Sequence, residues 1–182
     1  MCLNIYTENP KSIKANTTEN DIVCYKVLHA YRTTYTDTKH KIWFETPYTA
    51  MYMELGETYT DKEKVIREWS RDDQTLSIGA GVFHSFKDIE GAINEVDEWA
   101  EGNVIVECTI PKGTNLYEGF FDASECYGSK KITIGTKIVY VAKWLIEDDE
   151  ELAKALVQDY GFEYTKVPEE ARKDLPREYA EW

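Results

Sequence analysis

Short runs of β-branched and aromatic residues recur along this chain, with no regular alternation of strand and helix between them. Such residues fit a pleated, half-buried surface. Parallel strands would each need a long crossover, usually helical, to reach the next. A chain patterned this way is expected to fold as α+β, with a mixed or mostly antiparallel sheet and a few helices packed on it.

The clearest strand signal is Ile22-Val23-Cys24-Tyr25-Lys26-Val27-Leu28, in which Lys26 is the one charge. A polar loop, 31–40, is read as a hairpin tip or a flap. Ile42-Trp43-Phe44 and residues 48–53 are further candidates, broken by Pro47. Residues 78–86 form a Gly-rich strand in which Gly79 and Gly81 suit a bulge or tight bend. Residues 103–110 carry β-branched side chains at 104, 105 and 106, and Leu116-Tyr117 opens another extended piece. Residues 131–134 and 137–145 read as two strands separated by Gly135-Thr136, as in a hairpin.

Helical signals are fewer. Thr60 and Glu63 have the spacing of a capping box, which predicts a short helix to about Trp69. Asp88 can cap a helix whose apolar positions are Ile89, Ala92, Ile93, Val96, Trp99 and Ala100, with Gly102 as its stop. Asp148 or Asp149 opens another, closed by Gly161 after Tyr160, and Pro168 can start a last short one. With no repeat and no linker, residues 1–182 read as a single domain. Residues 1–20 form a polar lead-in, and residues 162–182 an extension packed on the domain.

The charge is -13, from 34 acidic and 21 basic residues. Such a field repels phosphate backbones and anionic membrane surfaces, which disfavours nucleic acid and membranes as partners. A local group of lysines can still hold a small anion, because the Debye length is only about 8 Å at physiological salt. Cys2, Cys24, Cys108 and Cys126 show no paired spacing, so no structural metal is expected and a reducing cytoplasm fits. No stretch approaches the ~18 apolar residues that span a bilayer. No cofactor motif is present: the glycines match neither the phosphate loop nor the dinucleotide fingerprint.

The functional surface is expected around Val82-Phe83-His84-Ser85-Phe86 and Ile110-Pro111-Lys112-Gly113-Thr114. His84 and Ser85 end a strand just before a capped helix, where an imidazole and a hydroxyl can meet a ligand beside free amides. The plainer reading is that Ser85 or Asp88 caps the helix and His84 is a satisfied surface residue. Lys112 projects from a Pro-Gly turn, either toward an anion or into solvent. Glu107, Glu118, Asp122 and Glu125 are candidate acids or bases, though no spacing fixes a pair of them.

The ordered set Cys24-Tyr25-Lys26-Val27-Leu28, Gly81-Val82-Phe83-His84-Ser85-Phe86, Glu107 to Thr114 and Tyr117-Glu118-Gly119 resembles small uncharacterised proteins of bacteriophages and mobile elements. The resemblance implies the cytoplasm of a bacterial host. More distantly, the order of elements is similar to the ADP-ribosyltransferase fold. In that likeness Lys26 or Arg32 would take the first-strand role and His84-Ser85 the middle one. The late catalytic Glu is missing: Ser129-Lys130-Lys131 stands at its place, and Glu125 is shifted, with Ser124 before it. The resemblance therefore implies binding without turnover of a small anionic, nucleotide-like ligand, held by Lys26, His84, Ser85, Lys112 and Lys130. A defence signal sequestered from the host is one such ligand.

Two alternatives stand beside it. One is a divergent enzyme acting on NAD or cyclic nucleotides, with His84, Ser85 or Glu125 as catalytic candidates. The other is an acidic inhibitor of a host protein, anchored by Tyr31, Tyr35 and Trp43. A homo-oligomer is compatible with each.

Overall fold

The computed structural model describes residues 2–33, 42–98, 102–173 and 175–176. The first half of the chain forms strands β1 (Leu3–Tyr6), β2 (Asn16–Thr17), β3 (Ile22–Arg32), β4 (Ile42–Glu45), β5 (Thr58–Thr60), β6 (Arg67–Ser70), β7 (Thr75–Ile78) and β8 (Phe83–Phe86). Helix α1 (Ile89–Glu98) follows, then β9 (Val104–Ile110), β10 (Asn115–Phe121), β11 (Ser124–Ser129) and β12 (Lys131–Val141). The chain closes with α2 (Lys143–Asp148), α3 (Glu150–Tyr160) and α4 (Glu169–Arg172). The fold is α+β: a mostly antiparallel sheet with a few short helices, as the residue pattern predicts. No helix among the described residues is long and apolar enough to cross a membrane.

The chain divides into two compact units. The first comprises Met1–Tyr25, Thr58–Gly91 and Cys108–Thr133. Its strands run in the order β8-β11-β10-β1-β7-β6, all antiparallel. The polar lead-in thus contains a working strand, since β1 lies between β10 and β7. Alternation along the strands puts Leu3, Leu76, Ile78, Phe86 and Cys126 on one face, where all are buried. Each such aliphatic or aromatic side chain contributes about 2 kcal/mol by leaving water. The opposite face carries Tyr6, Glu118, Phe120, Glu125 and Tyr127.

The second unit comprises Lys26–Glu57, Ala92–Glu107 and Ile134–Trp182. Its core holds Ile138, Val139, Tyr140 and Val141 of β12, with Leu152, Ala153, Leu156 and Val157 of α3 at helical spacing. Buried Asn103 stands in for a strand at Ala30. Its side-chain oxygen accepts from the Ala30 amide and its NH2 donates to the Ala30 carbonyl, both at 2.7 Å.

Several expectations are met in detail. The Asp88 carboxylate accepts from the Gly91 amide at 2.7 Å and so caps α1. Asp149 accepts from the Leu152 amide at 2.9 Å and caps α3, and Gly161 ends that helix with φ 75°. Gly81 takes φ 80° in the bend that separates β7 from β8.

Others are corrected. The helix expected from Thr60 does not form; β5 and β6 flank that segment. Asp61 accepts from the Glu63 amide at 2.7 Å, a local turn that replaces the capping box, while β6 zips onto β7. Residues 48–53 make a turn and one bridge, Glu45 to Tyr52, because the Thr46 hydroxyl takes the Met51 amide at 3.1 Å. Gly135-Thr136 is no hairpin: β12 runs straight through it. That glycine is there because a Cβ would sit 2.1 Å from the Glu107 carbonyl oxygen. β11 was not foreseen. It returns from β10 through Asp122-Ala123, with Asp122 at φ 49° in place of a glycine. Of the loop 31–40, Tyr31 and Arg32 belong to β3, and residues 34–40 lie outside the described residues.

Candidate functional site

His84 and Ser85 are neighbours on β8, so their side chains leave opposite faces of the strand. His84 Nε2 lies 3.0 Å from the Ile78 carbonyl oxygen. Ser85 sits across from Tyr127, is 1% exposed, and its hydroxyl has no hydrogen-bond partner. The Ser129 hydroxyl, two residues farther along β11 and on the same face, is also buried and unpartnered. The cap of α1 is supplied by Asp88 and not by Ser85.

The lysines are used differently from one another. Lys130 donates to the carbonyl oxygens of Gly81 at 2.6 Å and Glu63 at 2.7 Å, with Asp61 at 3.5 Å. Its ammonium thereby pins the segment after β5 to the bend before β8. Lys112 is exposed at the tip of its turn, where its amide donates to Asp21 at 2.7 Å. Lys26 is buried and belongs to the second unit, whereas His84, Ser85, Lys112 and Lys130 belong to the first.

The candidate carboxylates are mostly paired. Glu118 and Glu125 share the Lys87 ammonium, at 3.1 and 3.4 Å, and that ammonium lies over the Tyr127 ring, 5.1 Å from its centre. Burial lowers the affinity of Lys87 for its proton, but the hydrogen bond and charge of Glu118, with Glu125, outweigh it and raise the pKa. Burial pushes the Tyr127 phenol up, against the opposing pull of Lys87. Glu107 meets Lys166 at 2.6 Å. Asp122 forms the β10–β11 turn. Arg32 pairs with Glu151 at 3.3 Å. Among the described residues no group of three His, Cys, Asp or Glu could hold a metal ion.

The second unit contains a feature that the residue pattern did not single out. A cleft of about 190 Å³ is lined by Ile42, Phe44, Tyr52, Glu54, Leu55, Thr136, Asp159 and Tyr160. Alternation on β4 turns Ile42 and Phe44 to the same side. The chain beyond the turn after Pro47 brings Tyr52, Glu54 and Leu55, and the last turn of α3 brings Asp159 and Tyr160. Phe44 meets Tyr160 edge to face, with centroids 4.9 Å apart and planes at 90°. Trp43 backs Tyr52 at 5.1 Å, and the Tyr160 hydroxyl donates to the Ile42 carbonyl at 3.4 Å. Burial raises the Tyr160 pKa, and the negative charge of Asp159 and Glu54 adds to the rise, as does Tyr52. The lining has two carboxylates and, among the described residues, no lysine or arginine.

The sequence signal for this cleft was weak. Tyr52 lies in a piece read as plain strand, Glu54 follows just beyond it, and Asp159-Tyr160 read only as the end of a helix before Gly161. The aromatic anchors expected on a surface are placed otherwise. Tyr31 is half-buried and donates to Glu45 at 3.2 Å, Trp43 packs on Tyr52, and Tyr35 lies outside the described residues.

No family model matches this chain, nor does any curated protein or solved structure.

Proposed function

We propose that this protein binds a small ligand, and that the ligand sits in the cleft of the second unit between Tyr52 and Tyr160. The observation that carries the reading is the cleft's lining: three aromatic rings, with two carboxylates beside them. Concave sites of this kind, apolar walls with a few convergent polar groups, are the usual form of a small-molecule site. The rings are held by packing against β4 and Trp43, so they are arranged before a ligand arrives.

The ligand class differs from the nucleotide-like anion expected near His84, Ser85 and Lys112. Lys130 is occupied by carbonyl oxygens, and His84 and Ser85 point to opposite faces of β8. Carboxylates at the cleft oppose a phosphate. The volume opposes it too, since sites for drug-sized ligands run from about 300 Å³ upwards.

Saturation-transfer NMR with a set of single-ring and small ammonium fragments tests the proposal. Binding that is lost in Tyr52→Ala supports it. No fragment whose binding depends on Tyr52 or Tyr160 would overturn it.

One observation favours a second reading, a protein-binding surface on the first unit. Tyr6 is 70% exposed, and its ring lies 6.3 Å from that of exposed Phe120 on the face opposite the core. Paired exposed aromatics of this kind serve as interface anchors. If they do so here, the double substitution Tyr6→Ser with Phe120→Ser abolishes capture of a host factor that the wild type retains.

A further inference from the structure

We propose that the sheet face opposite the first unit's core docks an arginine-bearing segment of another protein, the guanidinium lying on the Phe120 and Tyr6 rings and donating to Glu125 and Glu118. This inference rests on the second reading, a protein-binding surface on the first unit, and adds the chemistry of the partner.

The register of the sheet brings rings and carboxylates together. Phe120 of β10 is partnered by Asn4 of β1 on one side and by Glu125 of β11 on the other. Cross-strand partners share a face, with Cβ atoms about 5 Å apart. Glu118 lies two residues back along β10 and points the same way. Tyr6, two residues beyond Asn4, places its ring 6.3 Å from that of Phe120. In the same row Asn4 pairs with Ser77 and Ser77 with Glu68, so Glu68 and Glu125 stand at its two ends. These groups face solvent: Tyr6 is 70% and Phe120 37% exposed.

Lys87 does not neutralise the acids. Its single ammonium serves two carboxylates, reaching Oε2 of each, and its side chain is 23% exposed against 50% for Glu118 and 53% for Glu125. The cation is thus recessed over Tyr127 while the acids stand out. An ionised carboxylate offers about four lone-pair sites, so each retains acceptor capacity. Arg67, next to Glu68, leaves the opposite face of β6 and donates to the carbonyls of Pro10 and Ile13 at 2.7 and 2.9 Å.

Rings and acids side by side select a guanidinium. It is planar, always charged and weakly hydrated, and it stacks on aromatic faces while its N–H edges pair with carboxylates. The lysine ammonium, a strongly hydrated point charge, gains the carboxylates but less from the rings. An acidic segment is repelled, and a second copy of this chain brings a charge of -13 of its own.

The test selects a displayed library of short random peptides on this chain at physiological salt. The library is first depleted on the double variant Tyr6→Ser with Phe120→Ser, whose charge is unchanged, which discards binders to the general acidic field. Among peptides that bind the wild type, arginine is expected at about three times its frequency in the unselected library, ahead of lysine. Those peptides should bind the double variant Glu118→Gln with Glu125→Gln at least about threefold more weakly. The arginine count is read on the wild type alone, so it stands whether or not that variant folds. Recovered peptides without arginine enrichment, or indifferent to loss of the two carboxylates, would overturn the arginine inference and leave the face as a protein-binding surface. If no peptide distinguishes the wild type from the Tyr6→Ser, Phe120→Ser variant, the protein-binding reading of this face falls.

Discussion

Phe44 and Tyr160 face each other edge to plane, 4.9 Å between centroids, and so join β4 to the last turn of α3. Phe44 is almost completely buried, so one side of the cleft wall is part of the core of the second unit. The site's shape is therefore tied to stability. Tyr160→Ala is expected to lower unfolding free energy by about 2–3 kcal/mol, the sum of lost burial and lost ring contact. Tyr160→Phe keeps the ring and loses only the 3.4 Å hydrogen bond to Ile42, which should cost about 1 kcal/mol or less. Urea unfolding of both variants checks the order.

Gly135 and Gly113 should respond differently to the same substitution. A Cβ at Gly135 would lie 2.1 Å from the Glu107 carbonyl oxygen, so Gly135→Ala must push β12 from its neighbour and should cost about 3 kcal/mol. At Gly113 nothing lies within 4 Å and only φ 79° resists, so Gly113→Ala should cost about 1 kcal/mol. Equal costs would mean that β12 does not run continuously past that carbonyl.

Lys130 is expected to act as a structural tie. Lys130→Met leaves the Gly81 and Glu63 carbonyls without their charged donor and should destabilise the chain by about 1–3 kcal/mol. Thermal unfolding measures it. An unchanged midpoint would return Lys130 to the pool of lysines available to an anion.

Ser85 and Ser129 should behave in the opposite sense. Each hydroxyl is buried without a partner, so Ser85→Ala and Ser129→Ala remove a desolvated group that has gained nothing in return. Both variants are expected to match or exceed wild-type stability, within about 1 kcal/mol. A large loss in either would reveal a partner bound to that hydroxyl.

Stability should also fall at alkaline pH. Lys87, Lys166, Tyr127 and Tyr160 all hold their protons more tightly in the folded chain than their ordinary values imply. Their contribution is complete below about pH 10, the range in which these groups ordinarily titrate. It is lost as pH rises through the raised values, because the unfolded chain gives up its protons first. Urea midpoints that decline from about pH 10 upward, less steeply in Tyr160→Phe, would bear this out; a flat profile would contradict it.

Much of the fold was legible because local chemistry and tertiary structure agree. Asp88, Asp149, Gly161 and the turn Pro111-Lys112-Gly113-Thr114 do what their residue types favour. Legibility failed where a distant neighbour decides. Gly135 looks like a turn residue until the Glu107 carbonyl is placed beside it. Thr60 and Glu63 look like a helix start until β7 pairs with the strand beyond them. The β10–β11 hairpin turns on an Asp where a Gly signal is usual. The site was the least legible part. His84-Ser85 stood out because it precedes a capped helix, yet strand alternation sends the two side chains apart. The cleft is assembled from β4, the chain after Pro47, β12 and the end of α3, and no short motif spans these.

The most direct test of the account is to map by NMR where the single-ring fragments act on this chain, with the tyrosine rings and the Leu and Thr methyl groups labelled. The predicted result is a set of saturable shifts at Tyr52, Leu55, Thr136 and Tyr160, around the 190 Å³ cleft, with none at Thr114 or Tyr127. Shifts concentrated at Thr114 and Tyr127, beside the Lys112 turn and Ser85, or no saturable shifts at all, would contradict it.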